Sequence, residues 1–136
     1  MNRPIKDYVD YRVGNARSAL EAAQILIDAS EPLGAINRLY YAAFHAVNAL
    51  LVTKGLSAAK HKGVRSHFFQ NWLKTGVFPK EFATLYDQLF DERNNADYRD
   101  FAEIDVTEAT ALLSATRQFV DAVEAEARSA IRETSE

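Results

Sequence analysis

Apolar residues recur through the first part of the chain at steps of three and four, the spacing of one face of an α-helix. The stripe consists of Val9, Val13, Ala16, Leu20, Ala23 and Ile27. It predicts a helix over about residues 5–29. Ser30 is the predicted N-cap of a second helix, with Pro32 in its first turn.

The second predicted helix, residues 32–54, is apolar around most of its circumference and stops at Gly55, a residue suited to a helix C-terminus. A third helix is predicted over 59–74, closed by Gly76, and a fourth over 79–98. Because the second helix presents apolar residues in so many directions, we expect most of its circumference to be buried.

The fifth predicted helix has the clearest start signal. Asp105 and Glu108 stand three residues apart, as in a capping box. A narrow apolar seam follows at steps of three and four, which predicts a helix over 105–130. The seam consists of Val106, Ala109, Leu113, Thr116, Val120, Val123 and Ala127. The charged tail, residues 130–136, is expected to fray.

These patterns predict the fold class. No segment shows sustained alternation with the period of two that marks a β-strand. Five helices with short connections predict one all-α domain over residues 1–136, an antiparallel up-and-down helical bundle. The surplus apolar surface of the second helix and the long seam of the fifth lead us to expect a homodimer.

Composition removes several kinds of chemistry. The 136 residues include no cysteine, which excludes disulfides, thiolate catalysis and cysteine-ligated zinc. No apolar run approaches the roughly 18 residues of a membrane span, and the start lacks the apolar core of a secretory signal. We therefore expect a cytoplasmic protein away from membranes. The histidines lack the carboxylate spacing of di-metal bundles, and we expect neither a metal site nor a cofactor.

Charge is distributed unevenly, although the net value is only −3. Residues 32–80 contain no Asp or Glu and carry a formal charge of +7. Either these basic helices pack beside acidic ones, or the block forms a cationic surface for an anionic partner such as RNA or a phosphate. Lys60, Lys62 and Arg65, around the start of the third helix, belong to this block.

One polar cluster lies on the otherwise apolar second helix. Arg38, Tyr41, His45 and Asn48 follow one another at steps of three, four and three, and so share a face. Hydrogen-bonding side chains on such a helix must find partners. The cluster is either a buried polar network or polar dimer surface, or it is a surface for a ligand or RNA.

A second polar cluster closes the fourth helix. Arg93 and Asp97 stand one turn apart and could form an ion pair. Arg93 also continues the stripe of Tyr86 and Phe90, and a side chain directed inward there would need a carboxylate or a bound anion.

The run RLYYAAFHA, residues 38–46, resembles the signature helix of HEPN-domain proteins. It is similar to the small stand-alone prokaryotic branch, which has an Arg-x-Tyr-Tyr-x-x-Phe motif. His61 and the ending from Arg93 to Tyr98 fall where that branch has a histidine-led helix start and an Arg-x-x-x-Asp-Tyr ending. The resemblance covers about residues 7–123. It implies a helical bundle, usually dimeric, in a family that includes metal-independent ribonucleases and partners of small nucleotidyltransferases in toxin–antitoxin pairs.

The resemblance also implies candidate catalytic residues. The ribonuclease branch carries Arg, a polar residue and then His after four to six intervening positions. Arg93 and Asn94 match its first half, and Asp97 and Tyr98 complete the candidate group. The three positions where the histidine is expected hold Tyr98, Arg99 and Asp100, so the motif is degenerate.

Three functions follow as hypotheses. The leading one is a HEPN binding module that pairs with a nucleotidyltransferase and binds RNA or a nucleotide, with Tyr98 as a possible modification target. The second is an active metal-independent ribonuclease toxin with a rearranged site, in which another histidine stands beside Arg93. The third is a purely structural dimer. The candidate binding residues are Arg38, Tyr41, His45, Lys60, His61, Lys62 and Arg65.

Overall fold

A computed structural model describes residues 3–95 and 104–135, with side chains over 3–92 and 104–133. The described residues form five α-helices, and a π-helical turn, Phe69–Leu73, directly follows the third of them. The helices are α1 (Arg3–Asp28), α2 (Pro32–Val52), α3 (His61–Phe68), α4 (Lys80–Asn95) and α5 (Val106–Ser135). These residues contain no strand, which confirms the all-α helical bundle. None of the described helices is both long and apolar enough to cross a membrane.

The second helix lies at the centre of the bundle, in contact with each of the other four helices. Its core positions include Leu39, Tyr40, Val47 and Leu50, all fully buried. The prediction that α2 is buried on most of its circumference is confirmed. Its apolar surface is covered within one chain, so it no longer argues for a homodimer, which stays a prediction.

The two apolar seams face this core. Every residue of the α1 stripe is buried, and so is every residue of the α5 seam except Val106, which is 37% exposed. Thr116 occupies a seam position although it is polar. Its hydroxyl donates to the Leu112 carbonyl oxygen at 2.7 Å, which satisfies the group inside the core.

Three helices end at a residue in the left-handed region, with φ of 61° at Ser30, 69° at Gly55 and 82° at Gly76. The two glycines close helices as predicted. The prediction that Ser30 caps α2 is wrong. Ser30 instead terminates α1, where the Glu31 N–H donates to the Leu26 carbonyl at 2.8 Å as in a Schellman motif.

The third and fifth helices differ from their predicted ranges. The predicted third helix over 59–74 divides into α3 and the π-helical turn. The predicted end of the fourth helix, near 98, lies outside the described residues. The fifth helix continues beyond residue 130 to Ser135, because Arg128 binds Asp10 of α1 at 2.8 Å and Ile131 is buried against the core. Its predicted start is confirmed by the Glu108 N–H donating to Asp105 Oδ1 at 2.8 Å.

Candidate functional site

The Tyr-Tyr-x-x-Phe segment of α2 is the centre of a group of packed rings, called here the aromatic cluster. The cluster consists of Tyr40, Tyr41, Phe44, His45, His61, Tyr86 and Phe90. Phe44 stacks on His61 with ring centroids 4.4 Å apart. The Tyr40 hydroxyl and His61 Nδ1 share a hydrogen bond of 2.7 Å. The first residue of α3 is thereby fixed against α2.

Arg12 of α1 completes the cluster and was not identified from the sequence. Its Nη1 lies 2.9 Å from His45 Nδ1, and its Nε donates to the Tyr8 hydroxyl at 2.9 Å. The guanidinium carbon lies 5.9 Å from the centre of the Phe44 ring. A guanidinium can only donate hydrogen bonds, so His45 Nδ1 accepts and the ring proton lies on Nε2.

Burial and the positive charges of Arg12 and Arg38 together lower the pKa of His45 from 6.5 to about 4. The desolvation of the charged ring is the larger cause, followed by Arg12 and then Arg38. At neutral pH, His45 is therefore an uncharged imidazole that offers an N–H to its surroundings.

Arg38 stands on the same side of α2, with its guanidinium carbon 5.0 Å from the centre of the Tyr41 ring. Within the part of the chain that the structure describes, neither Arg12 nor Arg38 forms an ion pair. We call Arg12, Arg38 and His45 the donor site. It presents two guanidiniums and one neutral N–H, a combination that suits an anion.

The predicted polar stripe of α2 therefore divides by role. Asn48 is 7% exposed and donates its amide to the Phe44 carbonyl at 2.9 Å, so it belongs to the interior. Arg38, Tyr41 and His45 are half-buried at the edge of the aromatic cluster. His67, the remaining histidine, does not belong to the aromatic cluster, and its carbonyl accepts a bond from the Asn71 amide.

The candidate catalytic residues lie at the limit of the described structure. Arg93 and Asn94 fall within α4, but their side chains are outside the described part, as are Asp97 and Tyr98 altogether. Position 93 follows Phe90 by three residues, close to one helical turn. The sequence of α4 therefore continues from the aromatic cluster toward Arg93.

The basic block of residues 32–80, which contains no Asp or Glu, is only partly neutralised by acidic helices. Arg65 donates to Asp87 of α4 at 2.6 Å. Two acidic side chains of α5 pair with α1, since Asp121 and Glu124 both accept from Arg17. Lys60 and Lys62 are exposed and form no ion pair with a described residue. Packing beside acidic helices accounts for Arg65 but not for these lysines.

Metal-binding side chains do not converge in the described residues, where no group of three His, Asp or Glu could hold an ion. The donor site has the opposite chemistry, because it gathers hydrogen-bond donors without carboxylates.

The motif and the fold that carries it agree with one protein family. The family model for the HEPN domain matches residues 9–126, which spans α1 to most of α5. The chain belongs to the HEPN family. In this HEPN domain, the Tyr-Tyr-x-x-Phe segment builds the aromatic cluster, and α1 supplies Arg12 to the donor site.

Relatives of this HEPN domain occur in bacteria and archaea. A Thermotoga maritima protein named "UPF0332 protein" is 35% identical over 85% of this chain and 88% of its own length. Two Methanocaldococcus jannaschii proteins are also similar. "Putative toxin MJ0142" is 34% identical over 74% of this chain and 69% of its own length. "Putative toxin MJ0605" is 29% identical over 90% of this chain and 91% of its own length.

Proposed function

We propose that this HEPN domain binds single-stranded RNA or a nucleotide at the donor site, as one member of a toxin–antitoxin-like pair with a nucleotidyltransferase. The observation that carries the proposal is that Arg12 and Arg38 converge beside a neutral His45 without forming an ion pair to a described residue.

Phosphate is the chemical group that suits these three side chains. A guanidinium presents several N–H donors in a planar fork that matches two phosphate oxygens. Both arginines are half-buried, where an ionic hydrogen bond is less weakened by water than at an exposed position. The neutral N–H of His45 adds a donor without adding charge.

The surroundings favour a nucleotide over a free phosphate ion. Half-buried Tyr41 and Phe44 lie beside the guanidiniums, and aromatic rings are the surfaces on which bases stack. Exposed Lys60 and Lys62 precede and follow His61, whose ring stacks on Phe44. These lysines would attract the phosphates of a longer strand and make binding sensitive to salt.

The pairing with a nucleotidyltransferase is supported by family membership and by two relatives with toxin names. The same membership supports a homodimer as the working form. The degenerate motif after Arg93 supports binding over cleavage, because a ribonuclease needs an acid and a base that titrate near neutral pH.

A titration with fluorescently labelled single-stranded RNA tests the proposal. We expect Arg12→Gln combined with Arg38→Gln to weaken binding about tenfold or more, since each charged hydrogen bond contributes about 1.5–3 kcal/mol. Arg132→Gln removes an exposed cation at the far end of α5 and is the matched control. Equal binding by all three proteins would refute the assignment.

A ribonuclease is the second candidate, and one observation favours it. His45 and His61 both contact the Phe44 ring, and the same cluster reaches Phe90, one turn before position 93. His61 therefore belongs to the same cluster of rings as Phe90, the residue one turn before position 93. Because the pKa of His45 is about 4, this ring is a poor general acid at neutral pH, which leaves His61 as the candidate histidine of the cluster.

A further inference from the structure

The solvent-facing side of α3 and the π-helical turn carries an unusual sequence of side chains. Exposed positions there are Lys62, Ser66, Phe69, Gln70 and Lys74. The opposite side is buried through Val64, Phe68 and Trp72. Phe69 is thus an aromatic ring, 41% exposed, between two lysines on the outer side of a helix. Its exposure is not explained by the bundle core.

A shallow depression lies against this ring. It is lined by Arg65, Ser66, Phe69 and Gln70. The charge of Arg65 is answered locally by Asp87, which accepts from its Nε at 2.6 Å. The Arg65 guanidinium also lies 5.5 Å from the centre of the Phe90 ring. Asp91 of α4 also acts on Arg65, so the depression has no excess positive charge and offers one ring and several hydrogen-bonding groups. That chemistry suits a nucleobase better than a phosphate.

Helix α3 leads from the neighbourhood of the donor site to the depression. His61, at the start of α3, stacks on Phe44 beside the donor site. Phe69 follows eight residues later, about 12 Å along a helix axis at roughly 1.5 Å per residue. That distance corresponds to about three nucleotides at the roughly 3.4 Å spacing of stacked bases. Lys60 and Lys62 lie near the start of this path, where they would attract phosphates, whereas Asp87 and Asp91 of α4 act on Arg65 at its other end.

We propose that the depression at Phe69 receives a base of a single-stranded RNA whose backbone continues from the donor site past Lys60 and Lys62. The ligand is then an oligonucleotide and not a mononucleotide. This inference rests on the proposed function and extends it, because it assigns Phe69 as a stacking residue and places the course of the strand along α3.

The test compares a labelled oligoadenylate of about ten nucleotides with AMP as an unlabelled competitor. We expect Phe69→Ala to weaken oligoadenylate binding about fivefold to tenfold, the lower part of the range for loss of one stacked base. Phe69→Tyr retains a ring and should bind as the wild type does. The dissociation constant of AMP, obtained from the competition, should be the same in all three proteins. Ile25→Ala is the matched control, since it also removes an exposed apolar side chain but lies on α1, and it should leave the affinity for oligoadenylate unchanged.

The outcomes separate this inference from the proposed function. If Phe69→Ala binds oligoadenylate as tightly as the wild type while the Arg12/Arg38 double variant binds weakly, the base site is refuted and the proposed function stands. Equal loss of oligoadenylate and AMP binding in Phe69→Ala would refute the extended path. If the wild type binds neither ligand at low salt, both proposals fail.

Discussion

At the scale of single residues, the neutral state of His45 is the most specific feature of the donor site. The Arg12 hydrogen bond to Nδ1 cannot survive protonation of the ring, because both ring nitrogens would then carry protons. The lowered pKa of His45 keeps the ring neutral, and the neutral ring is the form that accepts this hydrogen bond. It could be foreseen only in part: His45 follows from the steps along α2, whereas Arg12 comes from a distant helix. The four-residue spacing of Tyr8 and Arg12 is the one local signal that could have found it.

This arrangement predicts a pH-dependent stability. The pKa of His45 is about 4 in the folded chain and near 6.5 in the unfolded chain, so between these values the unfolded chain binds more protons. The free energy of unfolding should therefore rise with pH across that window and fall as the solution becomes acidic. Allowing for the partial exposure of the ring, we expect about 1–2 kcal/mol from this residue.

Urea denaturation at several pH values, on wild type and His45→Gln, measures this contribution. The variant should lose the part of the slope that His45 contributes between pH 4 and 6.5. An NMR titration that placed the pKa of His45 at or above its usual 6.5 would contradict the arrangement.

The candidate catalytic residues lead to a prediction of weak or absent ribonuclease activity. The motif histidine after Arg93 is missing, and a positioned acid or base contributes roughly 10²–10⁴-fold to rate. We expect little cleavage of single-stranded RNA in the presence of a chelator. Rapid metal-free cleavage by pure protein, abolished in both Arg93→Ala and His61→Gln, would favour the ribonuclease candidate instead.

At the scale of helices, the amphipathic stripes were predictable because one face of each packs on α2. Helix ends were less predictable, since they depend on backbone conformation more than on periodicity. Ser30 illustrates the difficulty. A serine between two helices is typical of an N-cap, yet here it takes the left-handed conformation that ends α1. The π-helical turn after α3 has no pattern of its own in the sequence.

Ser30 gives a prediction at this scale. The left-handed conformation costs a serine roughly 1 kcal/mol that a glycine avoids. Ser30→Gly should therefore raise the free energy of unfolding by about 0.5–1 kcal/mol. Ser18→Gly, at an exposed position inside α1, should lower it by about 0.5 kcal/mol because glycine is a poor helix former. Chemical denaturation of the two variants checks the contrast, and a loss of stability in Ser30→Gly would show that α1 ends differently.

At the scale of the whole molecule, the all-α bundle was predictable because five periodic segments left little room for another fold. The arrangement of charge was not. Asp121 and Glu124 of α5 form ion pairs with Arg17 of α1. This pairing depends on how the helices pack, which the sequence does not reveal. The lysines at the start of α3 form no ion pair with a described carboxylate, as the proposed RNA binding requires.

The homodimer is a prediction at this scale. Light scattering at micromolar concentration should give about 30 kDa, twice the 15.3 kDa of one chain. A value near the mass of one chain would contradict it. That result would leave the donor site intact, because α1 and α2 of a single chain build it.

The salt dependence of RNA binding tests the central claim most directly. Each phosphate contact made by a cation adds about 0.7 to the slope of log K against log salt for a single strand. The Arg12→Gln/Arg38→Gln variant should therefore bind more weakly than the wild type, with a slope shallower by about 1.4. Arg132→Gln should keep the wild-type slope. Identical slopes and affinities for the wild type and the double variant would contradict phosphate binding at the donor site.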